Sequence, residues 1–218
     1  MNLLKFKDKK EDYFYTEESF KTLKTYRNNI NILKNLTLDE KSVFIDVGCH
    51  RGEELYYLKD IGCKVYAFEV NPLHFNNVKR IYKNYKQIEI YQNAVTNTSG
   101  EKIECFYKNT KGKGGSMSIE PGKHNNDKNR KIKVKTIKLS KFIESRDHDI
   151  INFIKIDAEG SEFKIIEDLI DSGIIQKVNA IFLEDHSNKI NCKKWKSHRS
   201  VVVEKMFNTC PEKFYLWE

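Results

Sequence analysis

The sequence predicts a single α/β domain with a mostly parallel sheet of about seven strands and helices on both faces. Short β-branched or aromatic runs alternate with helix-compatible stretches, which is the order that right-handed crossovers between parallel strands produce. A chain of 218 residues, 39% of them apolar, is long enough for one sizeable core and short for two. Residues 1–41 are predicted as an N-terminal helical extension and residues 42–218 as the domain itself.

The individual elements follow from periodicity and from the residues that begin and end them. Apolar residues recur at helical spacing from Phe20 to Leu36, which predicts the helix of the extension. Strands are predicted at 43–47, 64–68, 88–92, 102–107, 131–137, 152–156, 178–183 and 214–217. Helices are predicted at 54–60, 72–85, 161–172 and 201–207, with Pro72 at a first helical position and Gly62 and Gly173 after helix ends.

Composition restricts the cellular setting. No window approaches the ~18 to 20 consecutive apolar residues of a membrane span, and the first residues lack the apolar core of a signal peptide. The five cysteines are odd in number and scattered, without a C-x-x-C pair for zinc or redox chemistry. We therefore expect a cytoplasmic protein with reduced thiols.

Positive charge is concentrated in one part of the chain. The formal net charge is +8, whereas the segment from Lys102 to Lys141 holds twelve Lys or Arg against three acids. Such a segment can attract an anionic partner such as a nucleotide-sugar, a phosphorylated glycan or RNA. A solvated lysine-rich loop explains it equally well, and the long Gly, Lys and Asn-rich connection within it is typical of a lid or a mobile loop.

The sharpest motif runs from Phe44 to Gly52, where an apolar strand leads into Asp46, Gly48 and then Gly52 before a helix. Glycines at such a turn let the backbone approach a ligand, and the helix offers its positive amino-terminal end. A dinucleotide site would need Gly-x-Gly-x-x-Gly to seat a pyrophosphate. Here Asp46 replaces the first glycine and the last gap is one residue longer, which favours a cofactor with a positive amino-acid end.

A nucleoside pocket is predicted beside this turn. Glu69 ends the second strand, 23 positions after Asp46, where an acid can accept hydrogen bonds from both ribose hydroxyls. Asn93 and Ala94, at the end of the third strand, would border the adenine ring. Taken singly, Asp46 could be a helix cap, Glu69 a strand-end polar residue and Asn93 a turn residue, but their combination with the glycines favours the pocket.

Four segments resemble, in order, the FkbM family of methyltransferases. They are Ile45-Asp46-Val47-Gly48, Ala67-Phe68-Glu69-Val70-Asn71-Pro72, Asn93-Ala94-Val95 and Ile154-Lys155-Ile156-Asp157-Ala158-Glu159-Gly160-Ser161-Glu162. The resemblance implies a Rossmann-like class I fold and S-adenosylmethionine-dependent transfer to a hydroxyl of a glycan, sugar or small metabolite. It also implies cofactor contacts at Asp46, Gly48, Gly52 and Glu69. The family more often has Ala-Asn where this chain has Cys49-His50-Arg51, a change that makes the pocket mouth more basic.

The acceptor side is predicted at the ends of the fourth and fifth strands. Asp157 ends the fourth strand, and Glu184 and His186 follow the fifth, so all three should face one crevice. We predict Asp157 as the main acceptor-side residue and His186 as a candidate base, because a hydroxyl must lose a proton. Asp157, Glu184 and His186 could alternatively hold Mg²⁺ or another divalent ion.

Other residues of this region carry weaker signals. Glu159 and Glu162 are most simply interpreted as first-turn acids that complement a helix dipole. The resemblance to the FkbM family also implies that Ser116 or Ser118 lines the site. Two rival functions stay open, an RNA ribose methyltransferase, which the basic segment permits, and a catalytically silent protein that keeps the nucleoside pocket.

Overall fold

The computed structural model describes residues 4–8, 11–15, 31–108, 115–123 and 126–217. The strands are β1 (Leu4–Asp8), β2 (Glu11–Tyr15), β3 (Val43–Val47), β4 (Lys64–Phe68), β5 (Ile88–Tyr91), β6 (Ala94–Thr96), β7 (Lys102–Lys108), β8 (Met117–Ser118), β9 (Asn126–Lys138), β10 (Ile151–Ile156), β11 (Val178–Leu183) and β12 (Phe214–Leu216). The helices are α1 (Glu53–Ile61), α2 (Pro72–Ile81), α3 (Leu139–Glu144), α4 (Glu162–Asp171) and α5 (Lys193–Thr209), with 3₁₀ turns at Ile174–Lys177 and Pro211–Lys213.

The main sheet is parallel throughout and has the order β12-β11-β10-β3-β4-β5. The chain moves outward from β3 in one direction and then from β10 in the other, so the order reverses between these two strands. In such sheets ligands bind at the carboxyl ends of the strands beside the reversal. The predicted Rossmann-like α/β fold is confirmed, with six strands among the described residues instead of about seven.

The missing strands belong to a second sheet, which has the order β6-β9-β7-β8. Strands β7 and β9 pair antiparallel, with a register irregularity between Phe106 and Tyr107, and β6 pairs parallel to β9. The sequence predicts strands at 102–107 and 131–137 correctly but suggests a single sheet. Periodicity reports that a segment is extended and does not report which edge it pairs with.

Helices cover both faces of the main sheet. On one face, Leu55 and Leu58 of α1 and Val78 of α2 pack in a buried cluster with residues of β3 and β4. On the other face, α3, α4 and α5 pack in a second cluster that contains Phe163 and Val202. The helices on two faces were predicted, and they leave the carboxyl edge of the sheet free for a site.

Two differences from the prediction lie at the ends of the chain. Within the predicted helical extension, β1 and β2 form an antiparallel pair, and helix is described only at residues 31–34 because 16–30 lie outside the described residues. The last helix, predicted at 201–207, starts at Lys193, since Trp195, Val202 and Met206 share its buried face between charged residues. None of the described helices is long and apolar enough to cross a membrane.

Candidate active site

A cavity of about 410 Å³ opens at the carboxyl ends of β3, β4 and β10. Its floor includes Gly48 and Asp157, which follow β3 and β10, and Glu69 lies on its wall after β4. Ser116 and Met117, beside and within β8, complete the lining from the second sheet. The second sheet therefore closes the crevice that the main sheet opens.

The glycine turn after β3 exists because two strands end in close contact. Gly48 has φ of 84°, and a Cβ at this position would lie 1.9 Å from the backbone oxygen of Asp157. Only glycine accepts both the left-handed backbone and that approach. Gly52 has φ of 80° at the start of α1, and a Cβ there would lie 2.8 Å from Cε2 of Tyr82. Glycine is therefore required at position 52 because Tyr82 packs against it, and Gly52 does not itself line the cavity.

Glu69 is held rigidly at the end of β4. Its two carboxylate oxygens accept backbone N–H bonds from His50 at 2.8 Å and from Asn71 at 2.7 Å, and the residue is only 6% exposed. Burial raises the pKa of Glu69 to about 7, against the lowering effect of these N–H donors and of His50. Each oxygen keeps a further lone pair, so the carboxylate can still accept from two ligand hydroxyls.

Asp46 is fully buried below the cavity. Its Oδ1 accepts a hydrogen bond from Lys155 Nζ at 3.1 Å, and the same ammonium donates to the Gly48 carbonyl and lies 3.8 Å from Glu54. Burial raises the pKa of Asp46, and the Lys155 ammonium opposes that rise. Lys155 and Glu54 line the cavity whereas Asp46 does not. Asp46 therefore fixes the turn and the lysine, and its predicted direct contact with a cofactor stays a prediction.

Four carboxylates surround the fully buried His186. Its Nδ1 lies 2.8 Å from Glu162, while its Nε2 lies 2.9 Å from Glu159, 3.1 Å from Glu184 and 3.8 Å from Asp157. Burial alone would lower the pKa of His186, but Glu162 and Glu184 outweigh it and raise the pKa to about 9. At neutral pH the ring is therefore protonated, and it must lose a proton before it can act as a base or bind a metal ion.

Glu162 is the first-turn acid of α4, as predicted, and Glu162 and Glu159 also make contacts that the sequence did not indicate. Glu162 is fully buried and accepts the Gly160 N–H at 2.9 Å with each of its oxygens. Glu159 has φ of 52°, a left-handed backbone that is rare for a residue with a side chain. That backbone turns its carboxylate toward His186 and toward the ammonium of Lys123, with which it forms an ion pair.

The chain was compared with known families and proteins. The family described as methyltransferase FkbM domain matches residues 46–207, which is most of the chain. The chain belongs to the FkbM methyltransferase family. The resemblance of the four sequence segments is thus confirmed, and the cavity between β3, β4 and β10 is the candidate active site of a methyltransferase. A comparison with curated proteins gives no significant match.

Solved structures similar to this FkbM domain are distant. They include a precorrin-6y C5,15-methyltransferase from Geobacter metallireducens, with 12% identity, TM-score 0.41 and coverage of 77% of this chain and 68% of that one. A SAM-dependent methyltransferase from Aquifex aeolicus has 14% identity, TM-score 0.39 and coverage of 88% and 87%. YjhP from E. coli has 19% identity, TM-score 0.28 and coverage of 39% and 34%, so this chain spans about a third of that protein.

The predicted site residues of the FkbM domain fall into two groups. Those that line the cavity are Gly48, Glu69, Asn93, Ala94, Asp157, Glu184 and Ser116. Those that do not are Asp46, Gly52, His186 and Ser118. Asn93 also donates to the Lys135 carbonyl at 3.1 Å, so it joins the cavity to β9, and Ser118 is buried in a turn with Glu120.

Two charged residues near the cavity, Lys155 and Glu54, were not assigned a role from the sequence, and Lys123 was predicted only as part of the basic segment that attracts an anionic acceptor. Lys155 and Glu54 pair with each other below the glycine turn, and Lys123 reaches Glu159 from the connection between β8 and β9. Alternation in β10 places Lys155 opposite Asp46 in the neighbouring strand, a signal that could have found this pair. Lys123 carried no such signal, because a lysine in a lysine-rich connection is ordinarily solvated.

Proposed function

We propose that this FkbM methyltransferase transfers the methyl group of S-adenosylmethionine to a hydroxyl oxygen of a glycan, sugar or small metabolite. One observation carries the proposal: a single cavity has Glu69 beside the glycine turn on one wall and the carboxylates of Asp157 and Glu184 on another. The first wall suits a nucleoside, and the second suits an acceptor whose hydroxyl group donates a hydrogen bond to a carboxylate.

The nucleoside end is built from a carboxylate and apolar surface. Glu69 would accept the two ribose hydroxyls, while Phe68, Ala94 and Met117 supply apolar walls on which a flat base can pack. The positively charged sulfonium of the donor would lie among the acidic residues of the same cavity. These features support S-adenosylmethionine as the cofactor.

The acceptor end is organised around Asp157. Its Oδ1 is buried and has no hydrogen-bond partner among the described residues, so a hydroxyl that donates to it would satisfy it. In the reaction an acceptor oxygen bonds to the methyl carbon while the carbon–sulfur bond breaks and its electrons remain on sulfur. The acceptor proton leaves toward the carboxylates. Because the sulfur leaves as a neutral thioether and needs no acid or base, the larger part of the enzyme's task is to hold the hydroxyl in line with the methyl group and the sulfur.

An anionic acceptor is supported by the mouth of the cavity, where His50 and Arg51 are among the lining residues. A second candidate function, methylation of an RNA ribose, is supported by Lys131, Lys133 and Lys135. These lysines are exposed along one face of β9, whereas Val134 between them is buried. Such a row can follow a phosphate backbone.

A methyl-transfer assay tests the proposal directly. Labelled S-adenosylmethionine is offered with nucleotide-sugars, oligosaccharides or structured RNA, and the labelled product is identified. We expect transfer to a sugar hydroxyl that is insensitive to ribonuclease. Label found only in ribonuclease-sensitive material would favour the RNA function, and an absence of label from every acceptor, despite binding of S-adenosylhomocysteine, would favour a silent nucleoside-binding protein.

Asp157→Asn separates chemistry from cofactor binding. The change keeps the side-chain volume and removes the charge, so we expect turnover to fall by ~10² to 10⁴ with S-adenosylhomocysteine affinity within about twofold. Asp60→Asn, an exposed acid paired with Lys59 on α1, is the matched control and should retain full turnover. Unchanged turnover in Asp157→Asn would exclude the proposed acceptor role.

A further inference from the structure

One ring nitrogen of His186, Nε2, forms ion pairs but no assigned hydrogen bond with the described residues. The side chain is fully buried, and the carboxylates of Glu159 and Glu184 contact Nε2 as ion pairs at 2.9 and 3.1 Å. A buried polar atom without a hydrogen bond costs free energy and calls for an explanation. The opposite ring nitrogen is already engaged by Glu162 at 2.8 Å.

This arrangement is the one that metal-binding histidines show. A ligating histidine usually gives its second ring nitrogen to a carboxylate, which fixes the ring orientation and leaves the first nitrogen aimed at the ion. Glu162 is itself fixed, since both of its oxygens accept the Gly160 N–H. The ring of His186 is therefore locked with Nε2 pointing into the group of carboxylates.

Two carboxylates supply the remaining ligand atoms. One oxygen each of Asp157 and Glu159, together with a nitrogen of His186, lie within 4.8 Å of one another. Two ligands on opposite sides of an ion are separated by twice the metal–ligand distance, which is about 4.0 to 4.2 Å for Mg²⁺ and about 4.6 to 5.2 Å for Ca²⁺. The three atoms are thus close enough to bind one ion without a change of backbone. The buried, unpartnered Oδ1 of Asp157 is a second atom that such an ion would satisfy.

Charge favours a cation at the same place. Four carboxylates meet around His186; among the described residues, Lys123 pairs with Glu159, the half-exposed Lys189 pairs with Glu184 at 2.9 Å, and the charge of Lys155 acts on Asp157. Glu159 takes the place of Glu184 in this ligand set, because the ligand atoms that lie within 4.8 Å of one another belong to Asp157, Glu159 and His186. Lys123 then occupies part of the space that a cation would take.

We propose that Asp157, Glu159 and Nε2 of His186 form a binding site for one hard divalent cation, with Glu162 as the residue that positions the histidine. The cation would lie at the acceptor end of the cavity, where it would draw the acceptor hydroxyl close and ease the loss of its proton. That purpose rests on the proposed function, whereas the existence of the site does not.

Manganese is the probe, because it binds oxygen and imidazole ligands and its electron paramagnetic resonance reports bound ion directly. Chelator-treated full-length protein is titrated with MnCl₂ by calorimetry and by resonance. We expect one saturable site per chain, weakened at least tenfold in Asp157→Asn and Glu159→Gln, and about ten- to a hundredfold in Glu162→Gln. His198→Ala is the matched control, since His198 forms a part-exposed pair with Glu167 at 3.0 Å, and it should bind Mn²⁺ unchanged.

The partly exposed Asp157 and Glu159 keep the test decisive if the buried histidine cannot be replaced without unfolding. Absence of saturable Mn²⁺ binding in the wild type, or binding that survives both isosteric variants, overturns the site. Methyl transfer by protein that binds no metal would remove this inference and leave the proposed function in place. A specific Mn²⁺ site in a protein that methylates no acceptor would keep the metal site and overturn the proposed function.

Discussion

Replacing Glu69 with Gln tests whether the carboxylate after β4 is the ribose-binding group. The change keeps the volume of a residue that is 6% exposed, and it removes the negative charge. If both ribose hydroxyls donate to this carboxylate, the loss of charge-assisted bonding should cost ~1.5 to 3 kcal/mol, or roughly ten- to a hundredfold in affinity. Truncation to Ala would leave the N–H groups of both His50 and Asn71 without their acceptors, whereas Gln keeps one acceptor oxygen and is the milder variant.

Calorimetry with S-adenosylhomocysteine measures the effect, and Glu89→Gln is its control. Glu89 lies on the adjacent strand β5, pairs with Lys64 and does not line the cavity, so its replacement should leave affinity unchanged. Equal affinities for wild type and Glu69→Gln would refute the reasoning, because they would show that the nucleoside does not contact this carboxylate.

The pKa of Glu69 adds a dependence on pH. Burial raises this pKa from 4.5 to about 7, so the native state binds more protons here than the unfolded chain across that interval. The contribution of Glu69 to stability is therefore largest below pH 4.5 and is lost as pH rises toward 7. Ribose binding requires the ionised form and follows the opposite course. Affinity should increase about tenfold between pH 6 and 8 in the wild type and stay nearly flat in Glu69→Gln.

Three further predictions concern the glycine turn, the buried ion pair and the lysine beside the acidic cluster. Gly48→Ala should lower the free energy of unfolding by well over the ~1 to 2 kcal/mol that a left-handed alanine costs. The control is Gly100→Ala, which should cost only that amount because Gly100 has φ of 85° and open space around it. Equal losses for the two variants in denaturant titrations would contradict the clash at Gly48. Lys155→Met should lower the free energy of unfolding by ~3 to 5 kcal/mol, because it leaves the Asp46 carboxylate buried without a partner. The double variant with Asp46→Asn should recover part of that loss. Thermal unfolding measures both variants, and no recovery in the double variant would disprove the prediction. Lys123→Gln should tighten Mn²⁺ binding about fivefold, because it removes an ammonium that competes with the ion for Glu159. Weaker Mn²⁺ binding in calorimetry would show that Lys123 stabilises the ion site instead.

Much of the fold could be predicted because its signals are local. Alternating runs and helix-ending glycines predict the order of β3, α1, β4 and α2, and they place Gly48 and Glu69 at the ends of their strands. Since parallel strands end at one edge, the sequence also predicts that Asp157 and Glu184 meet near the same crevice, and both line the cavity. The specific run that contains Asp157 indicated the family.

The remaining features depend on residues that are distant in the chain. Whether β7 and β9 join the main sheet or build a second one is decided by edge pairing, which local periodicity does not encode. The composition around Lys123 predicts a solvated lysine, yet the connection between β8 and β9 bridges to Ile190 and Lys123 pairs with Glu159, 36 residues away. The sequence by itself determined the succession of β3, α1, β4 and α2 along the chain and the glycine turn after β3. Only the tertiary structure decided which charges are buried together, because burial depends on what packs over a residue as well as on its type.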